Sequence, residues 1–192
     1  RLVGSEMCIR DSFLDRAAES GAFRLIRTGA DVEALENAQG VGLMLTVEGG
    51  AAIAGKLENI TRLRARGVRM MTLTWNGSNE IGSGVLSGDA FGLTPFGRQA
   101  VAELERQGIV IDVSHASERL FEDVASNTSR PFVASHSNAK AVCGHARNLT
   151  DAQFAEIRSR GGLVGLNFYK AFLNDAPEKA CLLYTSDAAD DS

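Results

Sequence analysis

At 192 residues the chain is long enough for one sizeable domain and short for two. Its 44% hydrophobic and 23% charged residues are ordinary globular composition. A net charge of −4 with no basic run argues against a nucleic-acid surface, and no stretch approaches the ~18 apolar residues of a membrane span.

The opening RLVGSEMCIRDS and the closing CLLYTSDAADDS show no clear period. One DNA stretch that encodes GluMetCysIleArgAsp, taken with the AG that can begin the Ser12 codon, reads, as its reverse complement in a shifted frame, CysLeuLeuTyrThrSer, which is residues 181–186. Both ends resemble translated transposon-type sequencing adapters. We therefore read 1–12 and 181–192 as artefactual and 13–180 as an internal piece of one domain. Cys8 and Cys181 then drop out. Cys143 alone can build neither a disulfide framework nor a cysteine zinc site.

In chain order, 13–22 reads as a helix end and 31–37 as a short helix. The apolar run 41–47 is strand-length. Residues 52–66 carry Ile53, Leu57, Ile60 and Leu63 at helical spacing. A second strand spans 68–74. Thr94 and Pro95 open a helix that turns Ala100, Val101 and Leu104 inward and stops near Gly108. Residues 109–113 form the third strand, and 117–127 a helix with Leu120, Phe121 and Val124 on one face. A short fourth strand spans 131–135. Thr150 and Gln153 make a capping box for the next helix, and 163–169 is the fifth strand.

Five continuous apolar runs alternating with helices indicate strands of a parallel sheet. A doubly wound open sheet and a (β/α)8 barrel both fit. No GxGxxG follows the first strand and no GxxxxGK[ST] occurs, so nucleotide-binding versions of the open sheet lose weight.

In a barrel, chemistry sits at the C-terminal strand ends. There the chain places Glu48 before two glycines, then Trp75 and Asn76, then His115, then His136. A lone strand-end histidine is usually a satisfied polar residue. Two on consecutive strands, beside a carboxylate, are within reach of one ion, because parallel neighbours lie ~4.8 Å apart. Imidazole and carboxylate suit zinc. Arg147 follows in the loop after His136, where a guanidinium suits a substrate carboxylate. The glycine-rich loop 76–93 has the length of a functional lid.

The segments TVEGG, LTWN, GLTPFG, IDVSHAS, ASHSNAKAVCGHARN and GLNFY, in this order across 13–180, resemble the membrane dipeptidase family of zinc metallopeptidases. The resemblance implies a (β/α)8 TIM barrel with two zinc ions, here with about five of eight parallel strands. It implies that Glu48 bridges the two metals, that His115 and His136 complete the second site, and that Arg147 holds substrate. Trp75 stands where some members have a substrate-contacting histidine, so Trp75 and Asn76 are read as shaping the substrate pocket. The implied reaction is hydrolysis of a dipeptide by a metal-bridging hydroxide, and a homodimer of the full-length protein is allowed.

The family's first-strand His-x-Asp, which completes the first metal site, does not occur in the chain, and the 13–180 segment stops before a late-strand aspartate used in proton transfer. The expectation is an active full-length metallodipeptidase and an inactive isolated chain. The competing readings are another metal-dependent amidohydrolase of the same fold, disfavoured by the absence of His-x-His, and a non-catalytic barrel fragment.

Overall fold

The computed structural model of the protein describes residues 19, 21–36, 40–88 and 91–174. The segments 1–12 and 181–192, and most of the helix expected over 13–22, lie outside the described residues.

The organising elements are two parallel sheets. β1 (Phe23–Leu25) pairs with β2 (Val41–Leu43), while β3 (Leu45–Glu48), β4 (Val68–Thr72) and β5 (Val110–Asp112) lie side by side in that order. Parallel bridges from Asp112 to Val133 and from Ala134 to Val164 carry the arc onward through 131–135 and 163–169. Helices fill the crossovers: α1 (Gly29–Glu33), α2 (Glu58–Ala65), α3 (Pro95–Gln107), α4 (Glu118–Asn127) and α5 (Asp151–Ser159). This strand–helix alternation with parallel pairing is part of a TIM-type barrel. No helix among the described residues is long and apolar enough to cross a membrane.

The helix starts follow from side-chain caps. Thr94 accepts from the Gly97 amide at 2.8 Å, Pro95 needs no partner for its missing N–H, and Gly108 ends α3 at φ 65°. Ser117 caps α4 through the Leu120 amide at 3.1 Å. Thr150 and Gln153 close the expected capping box, each side chain accepting from the other's amide. Ala100, Val101 and Leu104 of α3 and Leu120, Phe121 and Val124 of α4 are buried as their spacing requires. They pack with Ile60, Met71, Ile111 and Phe132 in one core.

A Cβ on Gly97 would overlap the Ile81 carbonyl oxygen, so α3 lies against the 76–88 loop at a distance only glycine permits. Gly97→Ala is expected to lower stability by about 1–3 kcal/mol despite alanine's better helix propensity. Gly88 faces open space, and Gly88→Ala should stay within about 0.5 kcal/mol. Urea midpoints of the two variants check this pair.

Five expected elements change shape. The run 41–47 splits at Met44, because Val41–Leu43 pairs with β1 and Leu45–Glu48 pairs with β4, with an irregularity between Leu45 and Thr46. The helix expected over 52–66 is broken into a 3-10 turn, Gly50–Ile53, and α2, since Ala54 and Gly55 both take positive φ. The short helix expected over 31–37 starts earlier, where Thr28 and Asp31 form a capping box; residues 37–39 lie outside the described residues. Residues 131–135 and 163–169 make bridges rather than full ladders. There side chains take over the pairing: Asp112 accepts the Ser135 amide at 2.9 Å, and Asn138 accepts the Asn167 amide at 2.8 Å. Leu163, Leu166 and Phe168 of the last segment stay exposed.

Candidate metal centre

Parallel pairing of β3, β4, β5 and 131–135 brings their C-terminal ends to one edge. Glu48 ends β3, His115 lies three residues past β5, and His136 follows the 131–135 segment. Their polar atoms converge. His115 Nε2 lies 2.9 Å from His136 Nε2, and Glu48 Oε1 lies 3.2 Å from the first and 3.3 Å from the second. Among the described residues this is the one group of three or more such side chains placed to hold a metal ion.

The donor set fits a cation of zinc's size. Bonds of ~2.0–2.2 Å to nitrogen and oxygen in a tetrahedron separate neighbouring ligands by about 3.3–3.6 Å. The two Glu48 separations, 3.2 and 3.3 Å, lie at the lower edge of this range, and the 2.9 Å between the imidazoles lies below it. Burial pushes His115 down to about 4, with Arg147 and His136 adding to the effect and Asp112 opposing it. His115 is therefore neutral at pH 7, as a ligand must be.

His115 is held in an uncommon backbone conformation, φ 68°, which favours glycine. The loop after β4 holds it there. The Val85 amide donates to the His115 carbonyl at 2.8 Å, the Ser117 amide donates to Ser83 at 3.1 Å, and Gly84 bridges to Ala116. Ile81 and Ser83 are fully buried, and a Cβ on Gly84 would overlap the carbonyl oxygens of Trp75 and Asn76. The glycine-rich segment thus serves as a packed floor under His115, where its length suggested a lid; residues 89–90 lie outside the described residues.

The other site residues take distinct places. Asn76 Oδ1 lies 2.9 Å from His115 Nδ1. Trp75 is 59% exposed, its ring 6.2 Å from that of His115. Arg147 is only 5% exposed. One guanidinium nitrogen donates to the His136 carbonyl at 3.3 Å, the group lies 5.5 Å above the Phe172 ring, and Nε has no protein partner. Burial pushes the Arg147 pKa down, with Asp112 and Glu48 countering it. His145 stacks on Phe172 and accepts the Arg147 amide at Nδ1, 3.1 Å.

Asp112 lies behind these residues, inside β5, where the strand-end pattern does not single it out. Burial raises its pKa, but hydrogen bonds from Ser135, Thr72 and two backbone amides outweigh this and hold the carboxyl below its ordinary value. Its signal was present: a lone acid in an apolar strand requires a set of donors. Ser114 was equally silent, although its hydroxyl accepts the His136 amide at 3.1 Å.

A family model described as membrane dipeptidase (peptidase family M19) matches residues 13–190. The chain belongs to the membrane dipeptidase family. An uncharacterized protein encoded 5′ of pqqA in Klebsiella pneumoniae is 37% identical over 163 residues, covering 82% of this chain and 60% of that protein. An uncharacterized dipeptidase of Schizosaccharomyces pombe is 33% identical over 144 residues, 74% of this chain and 35% of that one. Among solved structures, a metallopeptidase of Rhodobacter sphaeroides, bound to a phosphinate mimic of the dipeptide L-Ala-D-Ala, superposes with a TM-score of 0.81 at 37% identity. That match covers 89% of this chain and 50% of that one. This M19 chain therefore spans about half the length of the solved structure and between a third and three-fifths of these curated relatives. Both the family match and the superposition agree with the partial parallel barrel.

Proposed function

We propose that the full-length protein containing this chain is a zinc-dependent dipeptidase, with Glu48, His115 and His136 as metal ligands. The observation that carries the reading is the convergence of Glu48 Oε1 and the two Nε2 atoms within 3.3 Å of one another. Glu48 turns one oxygen to both imidazoles, and its side chain is 52% exposed. Zinc bound here supplies Lewis acidity and an activated water for attack on the peptide carbonyl.

The chain's own residues do the rest. Arg147 presents a buried guanidinium, pinned by His136 and Phe172, to a negative group of the substrate. Trp75 forms an exposed aromatic wall beside His115 and shapes the substrate pocket. Asn76 borders the same pocket and orients His115. The first-site His-x-Asp is absent from the sequence, so the 192-residue chain is expected to bind one zinc and hydrolyse nothing.

Dipeptide turnover by the full-length protein should stop on treatment with a chelator and return with zinc. Turnover that resists exhaustive chelation would contradict the proposal, as would measurable turnover by the isolated chain.

A further inference from the structure

We propose that Asp112 is a positioning residue: acting through Ser135, it fixes the His136 proton on Nδ1 and leaves Nε2 bare toward Glu48 and His115. The inference rests on reading His136 as a metal ligand, and its test separates the two.

The argument is a count of protons. Asp112 Oδ1 accepts two backbone N–H groups, from Ser114 and Ser135, both at 2.9 Å. Asp112 Oδ2 accepts two hydroxyls, Thr72 at 2.6 Å and Ser135 at 2.6 Å. Four donors fill the acceptor positions of the carboxylate. The Ser135 hydroxyl proton is thus committed to Asp112, because two oxygens 2.6 Å apart with no proton between them would repel. The same Ser135 oxygen lies 2.7 Å from His136 Nδ1. With its proton engaged it can only accept there, so Nδ1 carries the hydrogen. Ser114 leaves this order unchanged: its hydroxyl oxygen takes the His136 backbone amide at 3.1 Å and lies 3.4 Å from the Ser135 hydroxyl.

His115 has no such lock. Its Nδ1 partner is the Asn76 carboxamide, which can turn either its oxygen or its NH2 to the ring. His115 can follow its surroundings, and His136 cannot. The network also ties together the three strand ends that carry Thr72, Ser114 and Ser135, which fixes the ring as well as its proton.

The test is ring-nitrogen NMR of the 192-residue chain labelled with 15N-histidine, metal-free at pH 8. The chain has three histidines, and His145→Gln simplifies the assignment. His136 is expected with Nδ1 protonated and Nε2 bare. In Asp112→Asn the side-chain oxygen keeps the two backbone donors, and the NH2 faces the two hydroxyls. The Ser135 hydroxyl then donates its hydrogen bond to His136 Nδ1, the ring hydrogen moves to Nε2 through solvent, and the tautomer inverts. Zinc affinity measured by competition with a chromophoric chelator should fall ~10–100-fold. Ser135→Ala should release the tautomer, and Ser135→Thr should restore the wild-type pattern. This pair carries the test if Asp112→Asn does not fold.

A wild-type His136 protonated on Nε2 would overturn the inference. So would variants that lower the unfolding temperature yet leave the tautomer unmoved, the result of a merely structural Asp112. A correct tautomer in a chain that binds no zinc would leave the positioning role standing and count against the metal site.

Discussion

His136→Ala in the full-length protein is expected to lower kcat/KM for dipeptides by at least ~10³-fold, with zinc lost in parallel. Metal-assisted polarisation contributes several kcal/mol to such reactions, and each 1.36 kcal/mol is about tenfold. His136 also touches four other residues of the site: His115 at 2.9 Å, Glu48 at 3.3 Å, Ser135 at 2.7 Å, and Arg147 through its carbonyl. His115→Ala should lose as much. The replacement residue there would also occupy a φ of 68°, so His115→Gly is the cleaner variant, removing the imidazole without that strain. Steady-state kinetics with zinc quantified in each preparation checks both. Near-wild-type turnover in either variant would remove these histidines from the site.

Arg147→Ala is expected to cost about 10²-fold in kcat/KM, mainly through KM, with zinc content unchanged. Truncating a buried, hydrogen-bonded charge typically costs ~2–5 kcal/mol. Part of that cost is local packing, since the guanidinium also bonds the His136 carbonyl and lies over Phe172. Arg147→Lys separates the two contributions. Lysine restores the charge but not the planar fork, so it should recover only a fraction of the loss. A variant with normal KM and lost zinc would instead make Arg147 a prop for His136.

Much of this site could be read before the fold. His115, His136 and Glu48 stand out because each follows an apolar run, and parallel strands bring such ends to one edge. The α3 and α4 faces and the Thr150–Gln153 box are local patterns and appear where the spacing puts them. Other features depend on contacts far apart in sequence. Nothing local marks Met44 as the point where one apolar run passes from β1 to β4. Phe23–Leu25 is too short to register as a strand without its partner β2. Asp112 is the one acid in the run IVIDV, but its role needs Thr72 and Ser135, 40 and 23 residues away. The glycines of 76–93 suggest freedom, whereas Gly84 is where the backbone must approach Trp75 and Asn76.

Zinc binding by the 192-residue chain, measured by equilibrium dialysis with elemental analysis, tests the central claim most directly. One zinc per chain is expected in the wild type. No stoichiometric zinc is expected when Glu48, His115 and His136 are replaced together by Gln, Gly and Ala, with the fold confirmed by circular dichroism. Absence of zinc from the folded wild type, or equal zinc in the folded triple variant, would contradict the assignment of these three residues as the metal centre.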